Sequence, residues 1–136
     1  MSVDARLLCF HKQKTSARTR FLSHGASVLF GAALPADARV RAGSAAVLPH
    51  PAPLLQALET HLGIAGGSLR AAPEYRVEVE TAAGPVTVLL AEFTALDPPE
   101  AAAAAAGGRF IALTEARGLP QVELELLRKA YELLIG

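Results

Sequence analysis

The hydrophobic positions change their spacing several times along the chain, and each change marks an element. Residues 6–10 (Arg6-Leu7-Leu8-Cys9-Phe10) form a short apolar run that predicts a strand. Residues 11–20 are polar and basic and predict a loop. Residues 21–33 are apolar but broken by Ser23, His24, Gly25 and Gly31, which predicts one or two short strands with a turn or bulge at the glycines. Pro35-Ala36-Asp37 reads as a turn. Val40 and Val47-Leu48 flank Ala42-Gly43-Ser44, the pattern of two short strands around a loop.

Helical spacing first appears after Pro49-His50-Pro51. Leu54, Leu55, Leu58 and Leu62 make one stripe, Pro51 and Pro53 suit a first turn, and Gly63 suits a left-handed cap. Gly66-Gly67-Ser68 reads as an ordinary turn. Residues 75–80 alternate strictly, placing Tyr75, Val77 and Val79 inward on a half-exposed strand. Residues 86–93 are a more apolar strand, and the turn 82–85 makes the two a hairpin. The alanine run 101–106 has nothing large to bury and reads as a loop or a weak surface helix. Residues 109–113 predict a short strand and Thr114 the cap of a brief turn. Pro120 opens a last helix whose apolar face is Val122, Leu126, Leu127, Ala130, Leu133 and Leu134. Strands with two packing helices, and no repeat or linker, imply one domain over 1–136. The expected class is α+β, an αβα sandwich: a mixed sheet with a central helix and a C-terminal helix packed on it.

Composition supports a folded chain, since 51% of residues are hydrophobic. Trp is absent, so a stacking site needs one of five Phe or two Tyr. The net charge is zero but unevenly spread: residues 1–41 hold seven Arg or Lys against two Asp, and the rest hold six against eleven acids. The two parts are expected to attract, within the fold or between the subunits of a homodimer. The single cysteine, Cys9, excludes an intramolecular disulfide and reads as a buried thiol. No signal peptide or apolar span of about 20 residues is visible, so the expected location is cytoplasmic, away from membranes.

Catalytic patterns are sparse. The chain has no Cys-x-x-Cys, no His-Glu-x-x-His and no glycine loop ending in Gly-Lys-Ser/Thr. His11, His24, His50 and His61 show no ligand spacing for zinc, so no metal is expected. The basic segment 11–20 is either solvated or faces a small anionic ligand. Nucleic acid is not expected, because only Phe10 and Phe21 flank the charge.

Residues 54–64 (Leu-Leu-Gln-Ala-Leu-Glu-Thr-His-Leu-Gly-Ile) are a helix ending in Leu-Gly-Ile, followed by a loop, a hairpin, a strand and a last helix. This order resembles the second half of a Nudix domain. The signature of that family is glycine, five residues, glutamate, seven residues, then Arg-Glu-hydrophobe-x-Glu-Glu-x-Gly-hydrophobe. With its last glycine on Gly63, Leu58 and Ile64 fill the hydrophobic positions, and Gly43 lies one residue from the opening glycine. Residues 109–116 are similar to the strand and turn before the last Nudix helix. The resemblance covers about 40–136, and it implies the Nudix-like fold and a nucleotide-like ligand.

It also implies a loss. Gln56-Ala57 stand for Arg-Glu, Thr60-His61 for Glu-Glu, and Leu48 or Pro49 for the upstream glutamate. Those carboxylates hold Mg²⁺ or Mn²⁺ in the family, and hard cations need several oxygen ligands. Glu59 remains, at the unconserved position. The first expectation is therefore a domain without cofactor or catalytic residues that binds a ligand or partner, its pocket lined by His50, Glu59, His61, Arg76 and Glu92. The enzyme question leans to no turnover. One alternative is a divergent hydrolase of nucleoside diphosphate derivatives with acids relocated to Glu74, Glu78, Glu92 and Glu115. The other is a structural or oligomerisation module.

Overall fold

The structure, a computed structural model, describes residues 4–43 and 49–135. The strand expected at Val47-Leu48 lies outside them. Among the described residues eight strands form one sheet: β1 (Ala5–Lys12), β2 (Thr19–His24), β3 (Leu29–Phe30), β4 (Arg39–Val40), β5 (Leu69–Ala71), β6 (Val77–Thr81), β7 (Gly84–Phe93) and β8 (Gly108–Ile111). Three helices complete it: α1 (Ala52–Leu62), α2 (Glu100–Ala105) and α3 (Gln121–Ile135).

The main path of the sheet runs β4-β6-β7-β1-β2-β8. At its centre β1 and β7 pair in parallel, Ala5 opposite Thr87 through Phe10 opposite Glu92. Every other pairing is antiparallel. Each central strand carries two short partners end to end on its outer side. Strand β1 takes β3 at Leu7–Leu8 and β2 at Phe10–Lys12. Strand β7 takes β6 up to Val88 and β5 from Ala91.

Both faces of the central pair are covered, which explains their continuous apolar runs. On one face Leu8, Phe10, Val88 and Leu90 pack against Leu126, Leu127 and Ala130 of α3. On the other, Leu7, Cys9, Leu89 and Ala91 pack against Leu58 and Leu62 of α1 and Ala103 of α2. This is the expected αβα sandwich. Cys9 is a buried thiol whose ionisation burial pushes well up.

Helix α1 ends on Gly63 in the left-handed region at φ 67°, as its position implied. The hairpin closes at Thr81–Gly84, and Tyr75, Val77 and Val79 are buried. The loop expected over 11–20 is shorter than its polarity suggested, because β1 continues through the buried His11 and β2 begins at Thr19.

The alanine run takes the second of its two expected forms, a short and mostly exposed helix. It forms α2, with Ala103 fully buried. A small side chain is what this place needs. Gly108 follows so close to β2 that a Cβ there would lie 2.7 Å from the Ser23 carbonyl oxygen. Thr114 lies in a single 3-10 turn, where the Glu115 carboxylate accepts the Ala112 N–H at 2.8 Å. Part of the charge asymmetry is resolved within the fold, since Arg20 pairs with Glu100 at 3.1 Å and Arg41 with Glu78 at 3.4 Å. Among the described residues no helix is long and apolar enough to cross a membrane.

Candidate functional site

The last turn of α1 is the first place to look for chemistry. Glu59 is buried there, and its Oε2 accepts the backbone N–H groups of Gly67 at 3.0 Å and Leu69 at 3.1 Å. It ties the loop after the helix to the first residue of β5. His61 points elsewhere on the helix and packs on the ring of Phe30, centroids 5.8 Å apart. His24, at the end of β2, meets the same ring at 5.9 Å. Burial, and then the charge of His61, hold His24 below the usual imidazole range.

The sign of that shift fixes a pH dependence. A histidine with a lowered folded pKa is charged more readily when unfolded, so stability is full above the ordinary value near 6.5 and falls as pH drops below it. We expect the urea midpoint to fall between pH 7.5 and 5.5, and less steeply in His24→Phe. Equal slopes in the two proteins would remove His24 as the cause.

A second place is basic. Lys12 and Lys14, at and beyond the end of β1, meet Arg70 of β5 and Glu92 of β7 around a cavity of about 240 Å³. Arg70 and Glu92 are cross-strand partners and form an ion pair. Three cations against one carboxylate leave the cleft net positive, so it favours an anion. Beside it the buried His11 bonds the Ala95 carbonyl oxygen through Nε2 at 2.9 Å, while its Nδ1 has no partner among the described residues.

A third place is apolar. Leu89 and Leu90 of β7 fall between the last pair with β6 (Val77–Val88) and the first with β5 (Ala71–Ala91). The chain leaves the sheet in this seam, and a cavity of about 260 Å³ lies there. His50, before α1, lines it. Its Nδ1 accepts the Ala52 N–H at 3.2 Å.

The five residues expected to share a pocket are thus dispersed. His50 lines the seam cavity, Glu59 is tied to the loop backbone, and His61 stacks with Phe30. Glu92 belongs to the cationic cleft. Arg76 lines an open groove of about 370 Å³ with Glu74, Lys129 and Glu132. The four acids of the alternative reading are apart too: Glu78 faces Arg41, Glu92 faces Arg70, Glu115 caps its own turn and Glu74 lies in the groove. Among the described residues no three His, Cys, Asp or Glu side chains gather as a metal site would require.

No protein-family model matches the chain, and no curated protein matches it. A solved structure does: the crystal structure of the C. elegans Ap4A hydrolase, with a TM-score of 0.54 over 98% of this chain and 99% of that one, at 15% identity. The fold is Nudix-like. The likeness extends over nearly the full described chain, including β1 and β2, where the sequence pattern was loosest. At that identity it speaks for the Nudix-like architecture, while the chemistry has to be read from the residues of this chain.

Residues of the cleft were only partly visible in the sequence. Lys12 and Lys14 belonged to a conspicuous basic run. Arg70 gave no signal, being an isolated charge beside a glycine loop, and only its register opposite Glu92 brings it to the lysines. The His24–Phe30–His61 stack had no sequence signal, because nothing in the spacing of three such residues says that they meet.

Proposed function

We propose that this chain is a Nudix-like domain that binds a small anionic, nucleotide-like ligand without hydrolysing it. The observation that carries this reading is the donor set of α1. In a Nudix-like fold this helix would present carboxylates to Mg²⁺ or Mn²⁺. Here it offers Gln56, Ala57, Thr60 and His61, and its one carboxylate is occupied by two backbone N–H groups. That set does not fit a hard divalent cation, which takes six or more oxygen ligands. The imidazole of His61, tilted against the Phe30 ring, is a poor substitute for a carboxylate.

Binding needs less than hydrolysis. The Lys12–Lys14–Arg70 cleft supplies positive charge for a phosphate group, and the Arg70 guanidinium has N–H donors beyond the one that meets Glu92. The similar structure is that of an Ap4A hydrolase, which makes nucleotide-like anions the first class to try.

The test is thermal unfolding with Ap4A and a panel of nucleotides, nucleotide sugars and dinucleotides, each with and without Mg²⁺ or Mn²⁺, with products followed by chromatography. A ligand at ~100 times its Kd adds about 2.7 kcal/mol of stability. We expect such a shift without metal, no product, and a weaker shift for Lys14→Glu, whose own melting point is unchanged. Metal-dependent release of a nucleotide product would overturn the proposal in favour of relocated acids. No shift with any anion would remove the binding reading.

A further inference from the structure

We infer that the seam cavity between β5 and β6 is a binding site for a small, uncharged, planar heteroaromatic ring that carries a hydrogen-bond acceptor. The cavity follows from the topology. Strand β7 is too long for either outer partner, and where β6 gives way to β5 its Leu89 and Leu90 are flanked by a loop instead of a strand. The walls are apolar or small: Leu89 and Leu90 on one side, Ala71 and Ala72 on another, and prolines near the mouth. Among the described residues no charged side chain lines it. An ionised ligand would lose its hydration there without compensation, whereas a ring would not.

Size and polarity narrow the occupant. A dry apolar cavity of about 150 Å³ takes up benzene, so about 260 Å³ has room for a fused two-ring system. Among the described residues two polar side chains line the wall, and one is already occupied: the Tyr75 hydroxyl donates to the Leu126 carbonyl oxygen at 2.9 Å. The other is His50. Because its Nδ1 accepts the Ala52 N–H, the neutral ring carries its proton on Nε2 and offers a donor. The occupant must then present an acceptor. The wall alanines leave the room, since larger side chains at 71 or 72 would fill it. This inference is independent of the anion cleft, and its test uses rings without phosphate.

The experiment is a two-dimensional NMR titration of the intact chain at pH 8 with benzimidazole, and with indole as a ring of the same size that has no ring acceptor. Saturable shifts are expected at Leu89, Leu90, Ala71 and Ala72. Indole should bind about 3–10-fold more weakly, the equivalent of one neutral hydrogen bond. His50→Ala should bring benzimidazole to the affinity of indole and leave indole unchanged. Ala72→Leu should abolish the binding of both. Should that variant misfold, the His50→Ala comparison decides alone, because His50 is exposed. Shifts centred elsewhere, no saturable shifts, or equal binding of the two rings that His50→Ala does not alter would each overturn the inference.

Discussion

In urea, Phe21→Ala unfolds with a loss of about 3–5 kcal/mol relative to the parent chain. Phe21 is the largest fully buried side chain among the described residues. It stands in β2 opposite Phe10 of β1 and opposite Ile111 of β8, so its ring joins three strands on the face that α3 covers. Truncation opens a void that Phe10 and Ile111 are held too firmly by their own strands to fill. The loss is a large part of the 5–15 kcal/mol that a domain of this size usually has. The m value should stay constant, showing that stability and not the unfolded state has changed. A loss below about 1 kcal/mol would mean that the void collapses, and that α3 is less firmly seated than its contacts imply.

Glu123→Ala is expected to cost about 2–4 kcal/mol, a large effect for a residue far from any cavity described above. Glu123 is buried in the first turn of α3. Its carboxylate accepts the Val28 N–H at 2.8 Å and the Ser27 hydroxyl at 3.1 Å. Alanine leaves the Val28 N–H buried without a partner. Glutamine keeps one oxygen for it, so Glu123→Gln should lose about half as much. Chemical denaturation of the two variants checks the order. Equal losses would mean that the charge, and not the N–H bond, matters.

That residue also shows where the sequence stopped being readable. Glu123 is a normal acid for the start of a helix, and its place near Pro120 suggested no more than a favourable charge at that end. Its real partners are almost a hundred positions earlier, in the turn between β2 and β3. Glu59 is the same case: helical spacing placed it away from the signature positions, but not against the N–H groups of Gly67 and Leu69. Those two bonds also explain why β5 escaped notice. Three residues between a glycine loop and a proline have too little pattern to predict a strand, and tertiary contacts make it one.

What was readable had a local cause. The stripe Leu54–Leu62 with Gly63 behind it, the alternation at 75–80, and the apolar face of the last helix each need only their own neighbours to be explained. The αβα layering and the Nudix-like order follow from those pieces in sequence. The grouping of functional side chains does not. His50, His61, Arg76 and Glu92 are reasonable polar residues on the right elements, yet register and strand order place His50, Arg76 and Glu92 at three different cavities and His61 against Phe30.

The parallel pairing of β1 with β7 has a consequence for synthesis on the ribosome. Leu7, Leu8 and Phe10 find their permanent neighbours only when Leu89, Leu90 and Glu92 have left the exit tunnel. Until then the nascent chain has β2 and β3 to shelter one edge of that apolar segment, and nothing for the other. Closing so long a loop is slow, and an unpaired apolar strand is open to wrong partners while it waits. The central strand of the finished sheet thus keeps one apolar edge open until β7 has been made.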